Sequence, residues 1–166
     1  MITRDGTLTA LALQAMGVPC AVAAFSSNGR QAVRLSTVKA LGQAADDSLT
    51  QPLLALRRRG PTRLGAALRH ATTRLGGLPG SGRGASHWVL LLSDGQPHDV
   101  DVHDRHYVVD DARHAVHHAR RRAVRMDCLA IGRDAEPDAL RIFGRGGTQV
   151  LNDTTALPRA LRRLIG

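Results

Sequence analysis

The sequence predicts an α/β domain: a doubly wound, mostly parallel sheet with helices on both faces. Three observations carry this. The apolar period switches repeatedly along the chain between a strand-like two and a helix-like 3.6 residues. The runs CAVAAF, WVLLLS and MDCLAI are apolar almost without alternation, as strands buried on both faces are. Amphipathic segments of helical length separate these runs, which is the order of βα units. With 166 residues, 43% of them hydrophobic, the chain is long enough for one domain with a real core and too short for two ordinary ones. A single domain over residues 1–166 is expected.

Taken in order, Leu8, Leu11, Ala12, Ala15 and Met16 fall on one helical face, and Gly17 ends that helix where a left-handed cap is wanted. CAVAAF follows as a buried strand, and the turn Ser26-Ser27-Asn28-Gly29 leads into an edge strand around Val33 and Leu35. A helix is expected from Asp46 to Arg58. Thr62 opens another, in which Leu64, Ala67, Leu68, Ala71 and Leu75 recur at helical steps. The Gly-rich connection GGLPGSGRGAS contains Gly80-x-Gly82, but it precedes a strand instead of following one, so it does not fit a dinucleotide fingerprint. Then come a strand from His87 to Ser93, a polar loop, and a helix near Val109 to Arg122 with Ala112, Ala115, Val116, Ala119 and Ala123 inward. A strand from Met126 to Ile131, a short helix begun by Pro137, a strand from Thr148 to Leu151 and a last helix begun by Pro158 complete the pattern.

The net charge of +9 and the pI near 11.4 raise nucleic-acid binding as a function class. Lys39 is the only lysine, so the 23 basic residues include 22 arginines, spread from Arg4 to Arg163. A nucleic-acid module gathers its cations on one element and interleaves aromatics for stacking, whereas the aromatics here are Phe25, Trp88, Tyr107 and Phe143 alone. The Arg57–Arg59 and Arg120–Arg122 runs sit at expected helix ends, where cations suit the negative pole of the helix dipole. Cys20 and Cys128 lie in apolar runs without a partner at metal-ligand spacing and read as buried thiols. The clean apolar runs, such as Trp88 to Leu92, are far below the ~20 residues that cross a bilayer. Without a secretory signal after Met1, a cytoplasmic location is expected.

In doubly wound sheets ligands sit at the carboxyl ends of strands. Asp94 ends the most hydrophobic strand, and a carboxylate there needs a hydrogen bond, a partner or a metal. It either caps the turn Asp94-Gly95-Gln96-Pro97 or belongs to a site. Thr62, in GPTRLG, is either a helix N-cap or a hydroxyl ligand. Beyond Asp94, Asp99, Asp101 and Asp104 alternate with His98, His103 and His106. Zinc would need three or four convergent ligands, which loop spacing does not supply. A solvated, partner-binding loop is the preferred reading.

Together, GPTRLG and LLLSDGQP resemble the von Willebrand factor type A domain, in which a loop Thr and a strand-end Asp form part of a metal-ion-dependent adhesion site. The resemblance implies Thr62 and Asp94 as oxygen ligands of an octahedral Mg²⁺. FSSNGR, GPTRLGAALRHAT, the loop and helix from Ser93 to Gly132, and IFGRGG are similar, in that order, to the C-terminal domain of NorD-type proteins, the nitric-oxide-reductase activation family. They also resemble the related domain of CbbO-type proteins, which act on Rubisco. Such adaptors pair with MoxR-type AAA+ ATPases and direct them to a target enzyme.

The family's first metal motif, Asp-x-Ser-x-Ser at the end of a strand, has only Asp5-Gly6-Thr7-Leu8-Thr9 as a counterpart. Met1 to Arg4 is too short and too polar for that strand, so Asp5 is expected to cap the first helix and Asp5, Thr7 and Thr9 not to bind metal. The first strand and its motif are expected to be missing, with Mg²⁺ bound weakly or not at all.

The leading reading is therefore a non-enzymatic interaction module of a NorD-like adaptor. It works with a MoxR-type ATPase on a metalloenzyme resembling nitric oxide reductase, with Asp99, Asp101 and Asp104 facing a partner. The alternatives are a CbbO-like Rubisco-activation adaptor, an Asp94-dependent hydrolase or phosphoryl-transfer enzyme, and an Arg-rich nucleic-acid binder. The enzyme reading lacks a nucleophile and base pair, a P-loop and a second strand-end carboxylate.

Overall fold

Three parallel strands, β3 (His87–Ser93), β4 (Val124–Ile131) and β5 (Thr148–Leu151), form the main sheet in the order β3-β4-β5. A second sheet is an antiparallel hairpin of β1 (Val22–Asn28) and β2 (Ala32–Lys39). The computed structural model describes residues 2–28, 32–49, 51, 63–78, 87–94 and 104–165.

Helices cover both faces of the β3-β4-β5 sheet. On one face, Val89, Leu91, Met126, Cys128 and Ala130 meet α2 (Leu64–Gly76), α3 (Arg105–Arg121) and α4 (Glu136–Phe143). On the other, Trp88, Leu90, Leu92 and Leu129 meet α1 (Ile2–Ala15) and α5 (Leu157–Ile165). The two sets alternate along each strand because successive strand side chains point to opposite faces. A strand that must satisfy two apolar faces cannot carry a polar alternation, which is why these runs are continuous.

The inward face of α3 is built from small residues. Ala112, Ala115, Val116 and Ala119 are almost wholly buried, and their short side chains let the helix lie close to β4. The expected fifth member, Ala123, is instead exposed, with a φ of 57° in the turn that joins α3 to β4. Asp104 caps α3, its carboxylate accepting from the His106 amide at 2.9 Å. Pro137 stands in the first turn of α4, where a missing N–H costs nothing.

Three expectations change. Among CAVAAF, WVLLLS and MDCLAI, β4 alone lies between two described strands; β1 bonds to β2 and lies in a separate sheet from β3. Burial follows pairing: β4 is buried at all but one position, whereas only Leu91 of β3 is fully buried. In β1, Ala23 is exposed and Val22, Ala24 and Phe25 are only partly buried, so the apolar continuity of CAVAAF does not mark a strand covered on both faces. Second, α1 begins at Ile2, so Asp5 lies inside it and not at its cap. Its buried positions include Asp5, Thr7, Thr9, Ala10 and Leu13, whereas Ala15 and Met16 are exposed. Third, the segment expected to be a helix from Asp46 opens with a 3₁₀ turn, Asp47–Leu49; residue 51 is helical, and the rest of the segment to Arg58 lies outside the described residues.

The connection after β2 is tied down by one side-chain amide. Gln14 accepts from the Ala45 amide at 2.5 Å and donates to the Ala45 carbonyl at 3.1 Å, copying a pair of backbone bonds. Lys39 is buried and donates to the Cys20 carbonyl at 2.5 Å, joining the end of β2 to the start of the hairpin.

Candidate functional site

The carboxyl ends of the parallel strands bring Asp94, the turn after β4 and the start of α3 to one edge of the sheet. Ser93 is paired in register with Ala130, which sets Asp94 beside the end of β4. Asp94 is half-buried at the bend that ends β3. After Ile131 the chain turns at Gly132, whose φ of 85° suits a residue without a side chain. The Gly132 amide donates to the Leu151 carbonyl at 2.8 Å and so binds the ends of β4 and β5 together.

Beside this edge, α3 and α4 enclose a shallow cavity of about 250 Å³ lined by His106, Val109, Asp138 and Arg141. Arg141 Nη1 lies 3.1 Å from His106 Nδ1, and its Nη2 lies 4.0 Å from the Asp110 carboxylate. Both groups of the Arg141–Asp110 pair are about half exposed, so water screens it.

Of the residues singled out in the sequence, the structure sets Asp94 and Asp104 at this edge. Asp104 is exposed and engaged as the cap of α3. Thr62, Asp99 and Asp101 lie outside the described residues. Asp5, Thr7 and Thr9 are buried in α1, where the Thr9 hydroxyl donates to the Asp5 carbonyl at 2.6 Å. Among the described residues no three His, Cys, Asp or Glu side chains converge as a metal site.

A buried polar cluster that the sequence pattern does not single out lies in β4 around Asp127. Asp127 is 3% exposed. Its Oδ2 accepts from Trp88 Nε1 at 2.8 Å and pairs with Arg125 Nε at 2.6 Å, and the Arg125 guanidinium lies 5.7 Å from the Trp88 ring centre. Burial pushes the Asp127 carboxyl above the usual carboxylate range, against the pull of Arg125 and Trp88. The signal was present: an Asp within an apolar strand, an Arg two residues earlier on the same face, and the chain's one Trp.

This architecture, parallel strands alternating with helices that cover both faces of the sheet, defines a doubly wound α/β domain. The chain belongs to the von Willebrand factor type A domain family, which its sequence matches over residues 6–159. It is 34% identical over 149 residues to protein NorD of Brucella suis biovar 1, a match covering 90% of this chain and 23% of that protein. It is 36% identical over 141 residues to protein NorD of Stutzerimonas stutzeri, covering 85% and 22%. The chain thus spans about a quarter of the length of these relatives. Proximal thread matrix protein 1 of the mussel byssus shares the fold, with a TM-score of 0.63 and 18% identity over 98% of this chain and 41% of that one.

Proposed function

We propose that the domain is a non-enzymatic protein-interaction module of a NorD-like adaptor. In this reading it works with a MoxR-type AAA+ ATPase to activate or mature a target metalloenzyme of the nitric oxide reductase kind. The carrying observation is the similarity to relatives named NorD over about nine-tenths of the chain, joined to a strand-end carboxylate followed in sequence by an acid-rich stretch. The edge that holds Asp94 is the face turned to the partner, with Asp99, Asp101 and Asp104 contributing carboxylates. The position of Asp94 also supports Thr62 and Asp94 as the remnant of a Mg²⁺ site. In this reading Asp94 stands at a strand end as such a ligand would.

The test is affinity purification of the tagged protein together with a co-expressed MoxR-type ATPase. Retention of the ATPase, reduced by the Asp99→Asn/Asp101→Asn/Asp104→Asn variant, supports the reading. Unchanged retention in that variant removes the loop from the interface. Absence of any retention overturns the adaptor role.

A further inference from the structure

The arginines that look scattered in the sequence are sorted by the fold. Because β3, β4 and β5 run parallel, the turns entering β4 and β5 lie together at the amino edge of the sheet, opposite the edge that holds Asp94. The turn from α3 into β4 carries Arg120, Arg121 and Arg122, with Arg125 at the start of the strand, and the turn from α4 into β5 carries Arg145. All five are exposed.

Two contacts show that these turns are neighbours. Arg120 Nη2 donates to the Phe143 carbonyl at the end of α4, at 2.8 Å. A side chain at Gly147, in the second turn, would come within 3.0 Å of Asp127 Oδ1, the carboxylate held by Arg125. α5 follows the carboxyl end of β5 and packs back along the sheet, which carries Arg162 and Arg163 of its last turn toward the same edge.

Negative charge is scarce there. No carboxylate occurs between Asp111 and Asp127 in the sequence, and among the described residues the carboxylate at this edge is Asp127, which is buried and bonded to Arg125 and Trp88. Arg121, Arg122 and Arg145 take part in no ion pair among the described residues. By contrast, the arginines at the α2–α3 contact and the α3–α4 contact are met by Asp111 and Asp110. Helix carboxyl ends favour some cations, but Arg120 already serves the end of α4.

We propose that this amino edge is a docking face for an acidic protein segment. A guanidinium fork matches a carboxylate with two parallel bonds, and several unpaired forks on adjacent rigid turns suit a run of Asp and Glu side chains. Single-stranded nucleic acid would want exposed aromatics for stacking. Of the aromatics at this edge, Phe143 is buried, and Trp88 already has its N–H on Asp127 and its ring beside Arg125. The face lies at the pole opposite Asp94 and does not depend on the adaptor reading, although an adaptor with two separate faces is able to bridge two partners.

The experiment is fluorescence anisotropy with a labelled polyglutamate peptide and, in a second arm, a DNA duplex of equal total charge. Two variants lose the same charge: Arg122→Gln/Arg145→Gln at the amino edge and Arg133→Gln/Arg159→Gln away from it. The expected result is peptide affinity weakened about tenfold or more by the first pair and less than about twofold by the second, with binding falling as salt rises. Equal loss in both pairs would mean that net charge alone attracts the peptide, and would overturn the proposal. So would tighter binding of the duplex than of the peptide, or no peptide binding at low ionic strength.

Discussion

Gly65 and Asp111 are packed so closely that there is no room for a methyl group between α2 and α3. A side-chain carbon placed on Gly65 would lie 2.0 Å from Asp111 Oδ2 and 3.1 Å from the Asp111 backbone carbonyl carbon. The same carboxylate accepts two bonds from Arg69, at 2.9 and 3.0 Å. Close approach of the helices and the position of the ion pair are thus one arrangement.

Gly65→Ala is expected to destabilise the fold by about 1–2 kcal/mol, since overpacking exceeds the gain in helix propensity. Asp111→Ala alone should cost no more than about 1 kcal/mol, because the pair is partly exposed. Removing the carboxylate removes most of the clash. The double variant should therefore lie within about 0.5 kcal/mol of Asp111→Ala, a coupling that urea denaturation of the four proteins measures. Strict additivity would refute the close-approach argument.

The Asp127 cluster gives a test with a pH dependence. A carboxyl whose folded pKa is raised binds its proton more tightly in the folded state. Its contribution is most favourable below the unfolded value and is lost as pH rises through the folded value, so at neutral pH the buried charge costs stability. Asp127→Asn keeps an acceptor for Trp88 Nε1 and removes that cost, so its effect at pH 7 should be within about 1 kcal/mol of neutral. Asp127→Ala leaves the indole N–H without its acceptor and should cost about 1–3 kcal/mol. Thermal unfolding from pH 4 to 7 checks both: the difference between the native protein and Asp127→Asn should move in favour of the Asn variant as pH rises.

The second half of the chain was legible for a physical reason. α4, β5 and α5 begin and end where Pro137, Gly146-Gly147 and Pro158 punctuate the pattern, and the alanines of α3 recur at helical spacing. Position in three dimensions was less legible. The run CAVAAF shows that a strand has two apolar faces, but it carries no information on which strand pairs with each edge, and β1 pairs with β2 alone among the described strands. The period of α1 was read from Leu8, Leu11 and Ala12, whereas Asp5 and Thr9 share its buried side, a burial that polar residues do not announce. Asp94 stands out in the sequence because a fold rule places ligands at strand ends. The clustering of Arg122 with Arg145 required knowledge that two turns, more than twenty residues apart in sequence, enter neighbouring parallel strands.

The two thiols are expected to differ in reactivity. Cys128 is 1% exposed in the middle of β4, and burial together with the nearby Asp127 charge pushes its thiol up to about 12. The thiolate is the reacting form, so Cys128 should be inert to a disulfide reagent at pH 8 until the protein unfolds. Cys20 is half-buried and should react first. One thiol titrated in the native state and two in denaturant is the expected count; two fast thiols without denaturant would contradict the packing of β4.

Metal binding is expected to be weak or absent. Mg²⁺ keeps several waters but needs its carboxylate and hydroxyl ligands already placed in near-octahedral array. Asp94 stands at the strand end as such a ligand would, but Asp5 is held inside α1, 1% exposed, and the Thr9 hydroxyl is spent on the Asp5 carbonyl. Calorimetric titration with Mg²⁺ and Mn²⁺ should therefore show no binding tighter than the millimolar range, and neither ion should raise the unfolding temperature. Asp94→Ala should leave both results unchanged. Tighter binding that disappears in Asp94→Ala and also in Asp5→Ala would show that Asp5-Gly6-Thr7-Leu8-Thr9 does supply the first metal motif, and would overturn the expectation.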